Sequence, residues 1–281
     1  MSVRIVTDSS AVIPGDWLRE IPLHVVPLQI AWADGQVSDH DAPYAELAER
    51  LKRGERPPTT AAPSPGAYEE LYRELLATDE AVLVVCPPSE LSTTYGSAVL
   101  AARSVGEHRV RVLDARTAAA GQGIVAVEAA RAAADGADLE GALARALEVA
   151  SRVQIWATLS QLQFLRRSGR VPAVAAIGAG ALGLQPIVRY TNGSPAPVGV
   201  TRSGRRGAER VFRAWQKTFV PDHALSVVAF HSDRSEEAEN LSRRVLERVP
   251  EAEAAVVEVA ASLGSHTGPG LLGLAWLWDA P

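Results

Sequence analysis

Four polar segments hold the side chains that could do chemistry in this chain. Thr7, Asp8, Ser9 and Ser10 follow a short β-branched run. Thr59 and Thr60 stand among the prolines of residues 58–66. Ser89, Ser92, Thr93 and Thr94 crowd residues 87–95, and Ser262, Ser265, His266 and Thr267 fall within residues 262–270. Each has an ordinary explanation: Asp8 or Ser9 can cap a turn, Ser64 can N-cap a helix with Pro65 at its first position, and Ser92 can cap the helix that follows it. The chemistry they could otherwise support is of two kinds. Hydroxyls beside the free N–H groups of a helix start make a carboxylate or other anion site. Alternatively, Ser92 and His266 could act as nucleophile and base, which would require a third group to orient the base. Asp8 and Asp114 are available for that role only by their position after strands, and there is no GxSxG elbow. Gly264, Gly268, Gly270 and Pro269 around His266 predict a tight loop, not a helix, in which backbone approaches something closely.

Other chemistries lose their signatures. No GxxxxGK[ST] is present, and no GxGxxG opens a βαβ unit; the run 178–183 has that spacing but lacks a preceding strand and a later acidic partner, so packing explains it better. There is no HExxH, and none of the six histidines has a second at ligand spacing, so no metal and no cofactor is expected. The single cysteine, Cys86, can form neither an internal disulfide nor a thiolate metal site. A formal charge of -5 gives no general attraction to nucleic acid or to an anionic membrane. The start of the chain reaches Asp8 without the apolar core of a signal peptide. The apolar stretch 171–184 is too short to span a bilayer and reads as buried or interfacial backbone. These features predict a cytoplasmic protein without integral membrane association.

The elements that must position these segments alternate. Residues 3–7, 81–86 and 110–113 read as buried strands, and 42–52, 64–76, 92–104 and 121–134 as helices, which implies right-handed crossovers and a parallel sheet. Pro22 and Pro27 keep the extended stretch 21–30 from being one central strand. A helix at 140–151 precedes a change of pattern. Beyond it, 153–157, 185–189, 196–201, 225–231 and 254–259 read as strands, and 159–167, 205–218 and 235–248 as helices. The expectation is an α/β chain of two domains: residues 1–150 with a mainly parallel sheet, and 151–281 with a mixed one. With 47% hydrophobic residues, both can hold a core.

Taken in order, the segments resemble the DegV family of fatty-acid-binding proteins. The run VRIVTDSSAVIP resembles the family's start, and PTTAAPSP its threonine-serine-glutamine-proline-serine segment. SELSTTYGSA stands for its serine-glycine-threonine-tyrosine turn, and VRVLDARTAAAGQG for its strand, Asp-Ser/Ala-Arg turn and helix. LQFLRRSGRV, LGLQPIV, VTR at 200–202 and GSHTGPGLLGL complete the series. The resemblance implies a fatty acid held between two α/β domains, with Thr60 and Ser92 receiving its carboxylate and His266, with Thr267, in the network behind them. It implies that Arg170 and Arg202 lie near the site or on a partner-facing surface. It further implies that the protein has no catalytic residues of its own and presents its long-chain fatty acid to a separate fatty acid kinase. The arginines at 202, 205, 206, 210 and 213, and those at 166, 167 and 170, are candidates for docking that kinase. Two departures stand out: Ala61 and Ala62 replace the usual serine and glutamine, and Thr93 replaces a glycine, which could reshape the head-group pocket or demand different backbone angles. Another amphipathic acid as ligand, or a Ser92/His266 hydrolase or acyltransferase, remain the alternatives. An acyl chain gains roughly 0.8 kcal/mol per buried CH₂, provided that its carboxylate keeps hydrogen bonds when it leaves water.

Overall fold

The computed structural model describes residues 2–279 except 20, 79–80, 171–182 and 192. The apolar stretch 171–184 and the glycine spacing at 178–183 therefore lie almost wholly outside the described residues. The first sheet has four parallel strands in the order β2-β1-β6-β7: β1 (Val3–Asp8), β2 (Leu23–Val26), β6 (Ala81–Cys86) and β7 (Val110–Asp114). Every residue of β6 is buried, as a continuous β-branched run requires when both faces are covered. On one face lie α2 (Pro65–Leu76) and α3 (Thr94–Val105), whose Tyr68, Tyr72 and Ala98 pack on Val6, Val82 and Val84. Helix α2 starts as its sequence predicts, with Ser64 Oγ accepting from Ala67 N–H and Pro65 at the first turn.

On the other face lie α4 (Ala119–Ala134) and α5 (Leu139–Arg152). All of residues 119–130 in α4 are buried, because this helix is sandwiched between the first sheet and a second one. Its small side chains make that possible: a Cβ on Gly123 would collide with the Val12 carbonyl oxygen.

The second sheet has the order β10-β9-β8-β13-β11-β12, from β8 (Gln154–Thr158), β9 (Gln185–Thr191), β10 (Ser194–Thr201), β11 (Ala224–His231), β12 (Glu253–Glu258) and β13 (Leu272–Asp279). Only β11 and β12 pair in parallel, so it is a mixed sheet. Its outer face carries α7 (Gly204–Gln216) and α8 (Ser235–Leu246), with Trp215 and Trp276 fully buried there. The inner face joins Ile155, Val228 and Leu277 to Ile5, Leu83 and Val125 of the other half in one continuous core. Among the described residues, the strands of the four-stranded sheet all precede α5 and those of the six-stranded sheet all follow it.

The prolines of residues 21–30 divide that stretch as expected, and two other features depart from the sequence-based expectation. Residues 21–30 form two strands in different sheets, β2 and β3 (Gln29–Trp32), divided at Pro27. Strand β3 pairs with β4 (Gly35–Ser38) and β5 (Thr59–Ala61) in a small antiparallel sheet, so the paired threonines lie on a strand. Strand β13 sits near the middle of the second sheet but has no counterpart in the sequence reading. The glycine-rich segment before it is not an irregular loop: Ala261–Thr267 is a helix, α9, ending at Gly268 with φ +71°. Gly264 lies within this helix, and a Cβ there would press to 2.6 Å from the Tyr44 ring of α1 (Tyr44–Lys52). Its glycine encodes close packing between helices, not a turn.

Candidate functional site

A cavity of about 650 Å³ lies between the two halves. Leu28, Ile155, Val188, Phe230 and Leu271 form part of an apolar wall, while Thr60, Ser92, Arg170, His266 and Thr267 contribute polar atoms. Five of the six residues singled out from the sequence thus come together from four places in the fold. Thr60 lies on β5, Ser92 between β6 and α3, and His266 and Thr267 on α9. Arg170 follows α6 (Leu162–Ser168). Arg202 does not join them: it is exposed between β10 and α7 and lines no part of the cavity.

The hydrogen bonds order the polar rim. Arg170 Nη1 lies 3.3 Å from His266 Nδ1, and His266 Nε2 lies 2.7 Å from Thr60 Oγ1. A guanidinium only donates, so Nδ1 is the acceptor and a neutral imidazole carries its hydrogen at Nε2. Nε2–H then donates to Thr60, whose own hydroxyl hydrogen is left for a ligand. Burial, with the Arg170 charge beside it, lowers the His266 pKa to about 4, which keeps the ring neutral at physiological pH. Arg170 is held by donation from Nε to Leu91 O at 3.0 Å, so it ties the Ser92 segment to the helix carrying His266.

Ser92 Oγ accepts from Thr94 N–H at 3.2 Å and shares a hydrogen with Thr94 Oγ1 at 2.8 Å. It is a cap and a cavity residue together. Helix α3 begins at Thr94, with Thr93 at φ -77° and ψ -2°. That is ordinary right-handed backbone, so a β-branched residue in place of glycine requires no special angles. Thr267 lines the cavity too, but its hydroxyl donates to Leu263 O at 3.1 Å, which leaves it an acceptor only.

Asp39 was not among the residues singled out. Helix α9 has no side-chain cap of its own. Instead the Asp39 carboxylate accepts from Ser262 N–H at 2.9 Å and Ser262 Oγ at 2.5 Å, and from Ser9 Oγ at 2.6 Å. An acid far away in sequence therefore supplies the negative charge that a helix start favours, and it fixes α9 against the opening segment. Nothing local at Asp39 marks this role. Among the described residues no group of three or more His, Cys, Asp or Glu could hold a metal ion, and no helix is long and apolar enough to cross a membrane.

Asp8, at the end of β1, is 1% exposed. Its Oδ1 accepts from Ser10 N–H at 2.8 Å and from the Ser10 hydroxyl, while Oδ2 has no partner. Burial raises its pKa to about 6. The two shifted groups oppose each other in acid. As pH falls from 6.5 toward 4, the unfolded chain protonates residue 266 before the folded one does, so His266 withdraws stability. Between pH 6 and 3.8 the folded chain protonates Asp8 first, so Asp8 returns stability. Each acts with a slope of at most about 1.4 kcal/mol per pH unit. In delipidated Asp8→Asn, urea stability is therefore expected to fall more steeply between about pH 6 and pH 4 than in the wild type. Equal slopes would contradict the assignment.

These features define the class: an α/β protein with two main sheets, an apolar cavity between its halves and a polar rim drawn from both. The sequence model of the DegV family matches residues 2–279, and the chain belongs to that family. It is 30% identical over 279 residues to a DegV domain-containing protein of Streptomyces coelicolor, covering 97% of each chain. Among solved structures it is similar to a DegV family protein from Thermus thermophilus described for its fatty acid binding. That match has a TM-score of 0.92 and 28% identity, covering 99% of this chain and 100% of the other. It is likewise similar to DegV of Bacillus subtilis, described as a fatty acid binding protein, with a TM-score of 0.90 and 26% identity over 99% of this chain and 100% of the other.

Proposed function

We propose that this protein binds a long-chain fatty acid and presents its carboxylate to a separate fatty acid kinase, performing no chemistry of its own. The observation that carries this reading is the cavity: its walls are apolar, and at its rim Arg170 donates to His266 and His266 donates to Thr60, which leaves the Thr60 hydroxyl hydrogen to meet a carboxylate. Thr60 and Ser92 hydrogen-bond the carboxylate, His266 orients Thr60, and Arg170 holds His266 and offsets the negative charge. Residues 1–150 supply the hydroxyl-bearing segments, and residues 151–281 supply Arg170 and α9. The fatty-acid binding described for the similar proteins of T. thermophilus and B. subtilis supports the same reading, and the expected setting is the cytoplasm.

The hydrogen bonding argues against a Ser92–His266 nucleophile pair. Both ring nitrogens of His266 are engaged by Thr60 and Arg170, while Ser92 is engaged by Thr94. A base would need Nε2 free to accept. The exposed arginines Arg205 and Arg206, in the first turn of α7, are the proposed docking surface for an acidic kinase.

Loaded protein with ATP and magnesium is expected to yield no acyl phosphate until a fatty acid kinase is added. Esterase activity on short acyl esters should stay at background and be indifferent to Ser92→Ala. With kinase present, reversing Arg205 and Arg206 to glutamate should weaken kinase binding and leave lipid affinity intact. Acyl phosphate made by the purified chain alone, or ester turnover abolished by Ser92→Ala, would place the protein among enzymes.

A further inference from the structure

Helix α7, 13 residues long, begins without a cap. Ser203 makes no side-chain bond to the first turn, and that turn contains no acidic residue. The neighbouring Thr201 hydroxyl is used locally, accepting from Ser203 N–H at 3.2 Å and donating to Ser203 O at 3.3 Å. Gly207 N–H closes the first helical bond to Ser203 O at 3.0 Å. The N–H groups of Gly204, Arg205 and Arg206 are left at the open end of the helix dipole, as the first donors of any uncapped helix are.

Arg234 sets this helix start apart. Its side chain is 7% exposed, and its guanidinium lies against the first residue of α7: a Cβ on Gly204 would come within 2.9 Å of Nη2 and 3.8 Å of Nη1. Glu237 accepts from Nε at 3.1 Å and from Nη2 at 3.0 Å. Nη1 is buried and has no partner. A buried charged donor without an acceptor is costly. The adjacent Asp233 carboxylate accepts from Tyr44 Oη at 3.2 Å and makes no bond to Nη1. Gly204 has no side chain to stand between the guanidinium and the helix start. Arg202, Arg205 and Arg206 are exposed around the same turn.

We propose that the start of α7, together with Arg234, binds a phosphate group. Backbone N–H donors at a helix start and an arginine fork beside them suit a tetrahedral oxyanion that accepts from several directions, and the surrounding arginines balance more than one negative charge. None of Ser203, Gly204 or Arg234 lines the acyl cavity, so this site is separate from the proposed fatty-acid site. The phosphate could belong to a soluble compound or to a phospholipid head group.

The test uses the full chain loaded with fatty acid, in buffer free of phosphate and sulfate. Inorganic phosphate is titrated calorimetrically, and flotation is measured with phosphatidylcholine vesicles with and without phosphatidic acid. Saturable binding in either arm is expected, weakened at least tenfold in Arg234→Gln. Ser203→Asp, which places a carboxylate of its own at the helix start, should abolish it and raise Tm, with fatty-acid loading unchanged. Binding of inorganic phosphate identifies a soluble source, and binding only to phosphatidic acid vesicles identifies a head group. No saturable binding in either arm, or binding that survives Ser203→Asp, would overturn the proposal; if Arg234→Gln does not fold, Ser203→Asp decides alone.

Discussion

Thr60→Ala combined with Ser92→Ala is expected to weaken fatty-acid binding by roughly 2–6 kcal/mol while the chain remains folded, with about 1–3 kcal/mol from each change. The carboxylate leaves water on entering an apolar cavity, so each lost donor exposes part of its desolvation penalty. Thr60 should have the larger single effect. Its oxygen receives His266 Nε2 at 2.7 Å, so removing it also deprives the imidazole of its acceptor. Ser92→Ala removes the acceptor for Thr94 N–H, but that donor lies at a helix start. Titration with a fluorescent fatty acid, with circular dichroism to check the fold, measures both. Unchanged affinity in the double mutant would assign the hydroxyls to strand and cap alone.

Gly268→Ala is expected to destabilise the chain by roughly 2–4 kcal/mol, combining left-handed backbone strain with overpacking. Gly268 ends α9 at φ +71°, and an added Cβ would fall within the Phe164 ring. Phe164 is 6% exposed and lies on α6, so it has little room to retreat. The strain would part α6 from α9, which bear Leu165 and His266 on the cavity wall. Acyl affinity should therefore fall together with stability in urea denaturation. A variant with wild-type stability would mean that α6 yields freely and does not fix the wall.

The parallel sheet was legible because β1, β6 and β7 are short β-branched runs separated by helices with clear starts, such as Ser64-Pro65. Strand β13 was hidden because both its faces are buried: Leu274 and Trp276 pack outward against α7 and α8, and Ala275 and Leu277 inward toward α4. It therefore lacks the polar alternation of a half-exposed strand. Helix α9 was misread because glycine signals both turns and close approach. At Gly264 the approach of Tyr44 decides, whereas at Gly268 the positive φ does. The rim residues Thr60, Ser92, Arg170 and His266 were found through the ordered family segments, since their meeting depends on contacts across the whole chain. Asp39 and Arg234 had no such signal. One caps a helix distant in sequence, and the other is distinguished only by an unpartnered nitrogen inside the fold.

Mass spectrometry of an organic extract from the purified protein, never delipidated, tests the central claim most directly. The account predicts a long-chain fatty acid at close to one per chain, removable by delipidation and restored on reloading. Finding no lipid in the extract, and no acyl-chain binding after delipidation and reloading, would contradict it.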